Sequence, residues 1–408
     1  MFDSCNPHGN DSGRTAQAAT GQISESGHLT GLHAQQSMTK PLLRSFMPEL
    51  NSIRGLACLA VLFFHGLWWN IPSTATGLEG LLRDWTSQGF RGVEVFFVLS
   101  GLLITGILRD SRDHPNYFSR FYKRRALRIL PPYYMMLILL ALYGMPRGFL
   151  AISLLHAANM APMLGITMGY GPLWSLAVEE QFYLVWPACI RRFSNLTVAV
   201  LSMGIFVQSL VLVLGLRNNS PQSTFPIWYA AHGLAMGDLL ALFLRSRWAK
   251  RRVNVSTLAT VLLLVGYVGI RLSHRAWSRP QLGMMFQGGW DFVFAGVLLF
   301  AMLVATGRFE AWTRPRWLQF FGDISYGLYL IHVLVFKVYD RWFHTGSGLR
   351  AILLQFLICS ALSIALAALS RFTVEEWFLR WKDRPLPQLW RHNTSATLPI
   401  RRSFPANQ

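Results

Sequence analysis

A chain of 408 residues with 52% hydrophobic and only 14% charged residues is too apolar for a soluble protein of two or three domains, in which about a quarter of residues are charged. Its 38 Lys and Arg against 19 Asp and Glu, a formal +19, fit either a nucleic-acid partner or the cytoplasmic loops of a membrane protein, so the placement of the cations decides. The four cysteines, Cys5, Cys58, Cys189 and Cys359, show no paired spacing and three lie in apolar runs, so neither a disulfide framework nor a zinc site is expected.

Residues 1–45 are rich in Gly, Ser, Gln, Thr, Asn and His and poor in large apolar side chains. They also lack the basic-then-apolar pattern of a cleavable signal, which predicts a disordered cytoplasmic tail. From Ile53 onward ten apolar runs of roughly spanning length follow: 53–70, 92–108, 129–144, 174–190, 196–216, 227–244, 257–272, 284–306, 318–339 and 349–372. The predicted fold class is an all-α polytopic membrane protein of about ten transmembrane helices, with a transmembrane domain over 46–372 and a basic cytoplasmic tail over 373–408. The stretch 149–165 is long enough for an eleventh span, but His156, Asn159 and Pro162 favour a re-entrant or interfacial segment. With both termini inside, 28 of the 38 cations fall on cytoplasmic loops or tails, facing anionic lipid. That distribution removes the main support for a nucleic-acid partner, and none is expected; oligomeric state is not legible.

Ionisable groups are costly in hydrocarbon, so those kept within a span mark function or a buried structural pair. In the first span Arg54 and His65 are eleven residues apart, about 1100° of helix and only about 20° from three full turns. They share a face about 16 Å apart along the axis, with Arg54 at the cytoplasmic mouth and His65 in the outer half. A cation at a mouth and a base deeper in describe a tunnel for a long anionic substrate; a topology anchor and a packing histidine would satisfy the same spacing.

At the cytoplasmic start of the third span, Arg125 and Arg128 stand at i and i+3 and share a helix face. Guanidinium forks suit phosphate and pyrophosphate, and the pair lies at the depth of Arg54, although topogenic loops also carry such runs. The fourth span opens with Trp174, Ser175, Glu179, Glu180 and Tyr183. Glu179 lies about 7 Å from the outer end, the depth of His65. A carboxylate bonded to one imidazole nitrogen fixes the tautomer and raises its basicity, so Glu179 is expected to orient His65; the alternative is a helix-start cap. Further intramembrane polar candidates are Glu94, Asp238, Asp291, Asp323, Ser325, Tyr326 and His332. No Walker loop, His-Glu-x-x-His or Gly-x-Ser-x-Gly appears, which leaves NTP hydrolysis and zincin or hydrolase chemistry unsupported, and no metal is expected.

In this order the motifs resemble the integral-membrane acyltransferase family 3, the carbohydrate O-acyltransferases. The matching blocks are Leu50 to Ala57 with Phe64-His65, Gly92 to Gly101 with Glu94 where Asp is common, Arg124 to Pro131, Trp174 to Tyr183 ending in Trp186-Pro187, and Ile324 to His332. One block departs: His232 stands where an acidic residue often precedes Gly237. The resemblance implies transfer of an acyl group, acetyl above all, from cytoplasmic acyl-CoA as co-substrate to a hydroxyl of a carbohydrate or lipid-linked sugar acceptor. It implies a multi-pass enzyme of a bacterial inner membrane, with no permanently bound cofactor. His65 and Glu179 would be catalytic, Arg54, Arg125 and Arg128 would bind acyl-CoA, and Glu94, Trp174, Ser175, Glu180, Tyr183, Ser325, Tyr326 and His332 would contact substrate. No extracellular esterase-like domain is expected, the chain ending 36 residues past the tenth run. The rival is a secondary transporter, which also has about ten spans with isolated midplane charges, but the motif blocks are not repeated between the two halves.

Overall fold

The computed structural model describes residues 41–44, 46–215, 227–275, 288–343 and 348–381, and among them every regular element is helical. The expected disordered tail lies outside the described residues except for 41–44, where Arg44 is ion-paired with Glu49 and donates to the Ala305 carbonyl at 3.3 Å. Each of the ten apolar runs carries a helix. In chain order they are α1 (Pro48–Phe63, prolonged by a π-helical turn Phe64–Trp68), α2 (Gly77–Thr86), α3 (Gly92–Asp110), α4 (Tyr117–Tyr143) and α5 (Arg147–Leu154). Next come α6 (Leu173–Arg192), α7 (Asn195–Gly215), α8 (Ile227–Ala230), α9 (His232–Leu244) and α10 (Arg252–Arg275). Last are α11 (Gly289–Val304), α12 (Arg316–Phe343), α13 (Leu349–Ser370) and, after a π-helical turn Arg371–Glu375, α14 (Glu376–Leu379).

Seven helical stretches, those containing α1, α3, α4, α7, α10, α12 and α13, are long and apolar enough to cross a membrane, and α9 and α11 are shorter apolar helices. The protein is a polytopic membrane protein. α6 has 20 residues and is lowered in hydropathy by its Glu179-Glu180-Gln181 run. The 149–165 stretch is not one helix: α5 has eight residues, about 12 Å of rise, and a 3₁₀ stretch follows over Ala158–Leu164. Neither matches the about 30 Å of a hydrocarbon core. It folds back on its neighbours, Tyr133 donating to the Ser153 carbonyl at 2.7 Å and Asn159 exchanging amide hydrogen bonds with Gln181 at 3.1 and 2.9 Å.

Lipid tails supply no hydrophobic drive between spans, so small residues that allow close backbone approach set the contacts. α1 meets α12 at Gly55 and Gly322, where a Cβ would fall on the Leu318 and Asn51 carbonyls respectively. α3 meets α9 at Gly101 and Gly237 in the same manner, against the carbonyls of Leu234 and Val98. A buried polar lock joins the second crossing to α6: Thr105 donates to Asp238, and the Trp186 indole donates to the Thr105 hydroxyl at 2.7 Å. These contacts leave α1, α3, α4, α6 and α12 around a common space.

Candidate active site

That space is a cavity of about 710 Å³, lined by residues of α1, α3, α4, α6 and α12 and by the chain beyond α13. Arg54, Arg125, Arg128, Ser175, Glu179, Glu180, Tyr183, Ser325 and Tyr326 all reach it, so nine of the sequence-derived site residues meet in one place. The α1–α12 crossing explains part of this, because it sets Asn51 beside Asp323 (2.8 Å) one turn from Arg54. On α4, Arg125 and Arg128 are three residues apart and face inward, the Arg125 guanidinium lying 4.8 Å over the Tyr183 ring. Tyr326 donates to the Ile129 carbonyl at 3.0 Å, tying α12 to α4 just before Pro131-Pro132.

Glu179 accepts from the Ser100 hydroxyl at 2.9 Å and from Tyr183 at 3.3 Å. The expected bond from Glu179 to His65 is therefore not formed. α1 packs mainly along α12 and α3, so α12 occupies the side of α1 that the sequence reading gave to α6. His65 also sits in the π-helical turn, where a regular rotation per residue no longer holds. Its ring nitrogen partners come from elsewhere: Nδ1 lies 3.0 Å from the Val61 carbonyl and 3.1 Å from His332 Nε2. His332 Nδ1 lies 2.9 Å from the Leu328 carbonyl. Trp69 stands edge-on to His65, ring centroids 4.7 Å apart.

The histidine pair adjoins the cavity rather than lining it. Ser175 and Tyr329, both on the cavity wall, share a hydroxyl-hydroxyl hydrogen bond of 2.7 Å. The Tyr329 ring lies 5.9 Å from that of His332, so the wall residue is the neighbour of the pair. Glu94 and Trp174 are not brought to the cavity. Glu94 pairs with Arg91 at 2.9 Å beside the hydrogen-bonded pair of His232 and Asp291 at 2.6 Å, and Trp174 packs edge-on to Phe97 at 6.0 Å. His232, at the position where the family often has an acid, thus finds its carboxylate on α11.

Sequence reasoning assigned no role to Ser100, Tyr329, Arg371 or Glu375, all of which line the cavity. A signal existed for each group. On α3 the residues Val93, Phe96, Phe97, Ser100, Leu103 and Ile107 recur at helical spacing, and Ser100 is the polar member of that stripe. Arg371, Glu375 and Leu379 recur every four residues from the end of the tenth run onward, the mark of one helix face. Five arginines (Arg54, Arg124, Arg125, Arg128, Arg371) and four carboxylates (Glu179, Glu180, Asp323, Glu375) line the wall. The chemistry open to such a site is binding of a polyanion along the arginines, with an imidazole beyond the far wall.

The acyltransferase 3 family model, described as an acyltransferase domain, matches residues 47–372. The chain belongs to the acyltransferase 3 family. It is similar to the peptidoglycan O-acetyltransferase OatA of Listeria monocytogenes, 26% identical over 326 residues, covering 71% of this chain and 49% of OatA. It is similar also to the putative peptidoglycan O-acetyltransferase YrhL of Bacillus subtilis, 27% identical over 327 residues, 70% of this chain and 48% of YrhL. A putative O-acetyltransferase of Staphylococcus aureus is 23% identical over 418 residues, 90% of this chain and 64% of that protein. The chain thus spans about half the length of OatA and YrhL. No solved structure matches it.

Proposed function

We propose that the protein is a membrane O-acetyltransferase that moves an acetyl group from cytoplasmic acyl-CoA to a hydroxyl of a carbohydrate acceptor. In this reading the ten apolar runs all cross a bacterial inner membrane and both termini are cytoplasmic. The observation that carries it is the cavity, which holds Arg54, Arg125 and Arg128 together and extends to the Ser175–Tyr329 wall next to His65 and His332. Its about 710 Å³ lies within the usual range of small-molecule sites. Arg125 and Arg128 offer forks to the donor's phosphates, and the thioester would lie toward Ser175. His65 takes the proton of the acceptor hydroxyl as its oxygen attacks the thioester carbonyl. The tetrahedral intermediate collapses, the C–S bond breaks, and the departing thiolate takes the proton back from the imidazolium. Glu179, held by Ser100 and Tyr183, keeps Arg54 and Arg125 ordered in the cavity rather than orienting His65. The names of OatA and YrhL favour peptidoglycan among carbohydrate acceptors.

Purified protein in detergent, given acetyl-CoA and a panel of glycans including muropeptides, tests this. The expected result is acceptor-dependent thiol release matched by an acetyl mass gain on one glycan. Protein that releases no thiol with any acceptor but moves a solute across liposomes would overturn it in favour of a transporter.

A further inference from the structure

His65 and His332 each sit in a helical turn with a distinctive backbone feature. His65 lies in the π-helical turn that closes α1. In α12 the hydroxyl of buried Tyr170 donates to the Leu330 carbonyl at 2.6 Å and accepts from the Leu334 N–H at 3.1 Å. Those two backbone groups are the pair that an uninterrupted helix joins to each other. His332 lies inside the turn that Tyr170 thus clamps, within a helix that stays α-helical from Arg316 to Phe343.

The proton positions follow from which atoms can only accept. A neutral imidazole carries one N–H. His332 Nδ1 faces the Leu328 carbonyl at 2.9 Å, so its hydrogen is on Nδ1 and its Nε2 bears a lone pair. That lone pair faces His65 Nδ1 at 3.1 Å, and the same nitrogen faces the Val61 carbonyl at 3.0 Å. Two acceptors on one nitrogen place a hydrogen there, shared between them. His65 Nε2 is then the unprotonated atom, the one a general base needs.

We propose that His332, itself set by Tyr170, is a positioning residue that fixes His65 in the Nδ1–H tautomer and leaves Nε2 free as the base. The proposal rests on His65 acting as the base of the transfer reaction. It gives the orienting task to a neutral acceptor on α12 in place of a carboxylate. When Nε2 gains the hydroxyl proton, the Nδ1–H bonds to Val61 and His332 persist, and the ring returns to the same tautomer when it gives the proton to the thiolate.

The test compares full-length His332→Leu, His332→Gln and Tyr170→Phe, with His65→Ala as reference, in acceptor-dependent thiol release. Gln can set a side-chain carbonyl near the place of Nε2, whereas Leu leaves no acceptor. His332→Leu is expected to lower kcat about tenfold to a hundredfold, a part of what a general base supplies, with the donor KM unchanged. His332→Gln should recover most of that loss. Tyr170→Phe should lower kcat in the same direction by less, again without moving KM. ¹⁵N spectra of histidine-labelled protein should show an unprotonated Nε2 on His65, assigned by its loss in His65→Ala. That signal should move toward a mixture of tautomers in His332→Leu and stay in place in His332→Gln. Equal thermal stability of the variants in detergent separates this from misfolding. Inactive His65→Ala beside fully active His332→Leu would overturn the positioning role and leave the base intact. Leu and Gln variants equally inactive with the His65 tautomer unchanged would also overturn it. An active His65→Ala would remove the underlying reading instead.

Discussion

Arg54 and His65 share one helix, yet they meet different surroundings: Arg54 lines the cavity and His65 turns to α12. Their order and approximate separation along one helix were legible because α1 is regular as far as Phe63, whereas the common face expected of them stops at the π-helical turn that holds His65. The partner of His65 was not, since partnership depends on which helix lies alongside, and no spacing within α1 or α6 encodes that. Replacing His65 with Ala is expected to lower transfer at least about a hundredfold while yield in the membrane stays near that of the parent; activity within a few fold would sink its role as base. Arg125→Ala should raise the apparent donor constant about tenfold to a hundredfold, the loss of one charge-assisted contact, with the acceptor constant unchanged. Lys at that position should recover only part, since it restores charge without the fork or the stacking on Tyr183. Unchanged acyl-CoA affinity by titration would return Arg125 to a topology anchor. Glu179 and His332 share no hydrogen-bond partner, so Glu179→Gln should act on donor binding and combine additively with His332→Leu. Sub-additive losses in kcat would restore the carboxylate-to-imidazole pairing that the sequence pointed to.

Among the elements, a helix was legible in each of the ten apolar runs, because a hydrocarbon solvent demands apolar helices; seven of the described stretches are long and apolar enough to cross, while α9 and α11 are shorter. Two kinds of element escaped. α2 is short, and its apolar Leu78, Leu81, Leu82 and Trp85 alternate with Glu79, Arg83 and Asp84; Leu78, Leu81 and Trp85 are exposed, the pattern of a helix lying in an interface. The π-helical turns at Phe64–Trp68 and Arg371–Glu375 carry no local signature, being set by the helices they touch. The close crossings are testable at this scale. Gly55→Ala would press a methyl onto the Leu318 carbonyl, and overpacking of this kind costs about 1 to 3 kcal/mol. Gly204 on α7 has open space around it, so Gly204→Ala should be neutral or gain about 0.5 to 1 kcal/mol from helix propensity. Thermal melting in detergent should therefore fall for the first and hold or rise for the second; equal melting would show that the α1–α12 approach is not limiting.

For the molecule as a whole, the apolar composition and the placement of the cations predicted a membrane protein, and the described helices agree. The cavity itself is another matter: five arginines line it, but four carboxylates line it with them. A site that reads as cationic in sequence is close to neutral in space, because Glu179, Glu180, Asp323 and Glu375 come from three segments far apart along the chain. Glu375 is the informative one, buried with one carboxylate oxygen unpartnered among the described residues, and supplied by the turn after α13. In the proposed reading donor loading would be an exchange of anions, in which phosphate takes over arginines whose charge the cavity carboxylates otherwise offset. Exchange of this kind releases little net charge, so donor affinity should vary only weakly with salt, unlike binding to a bare basic patch. It also makes the resident carboxylate a competitor: Glu375→Gln should tighten acyl-CoA binding by up to about tenfold, the order of one charge-assisted contact, whereas weaker binding on titration would make Glu375 a brace for the arginines. The turns that follow α13 would thereby set how readily the donor is let go once its acetyl group has left.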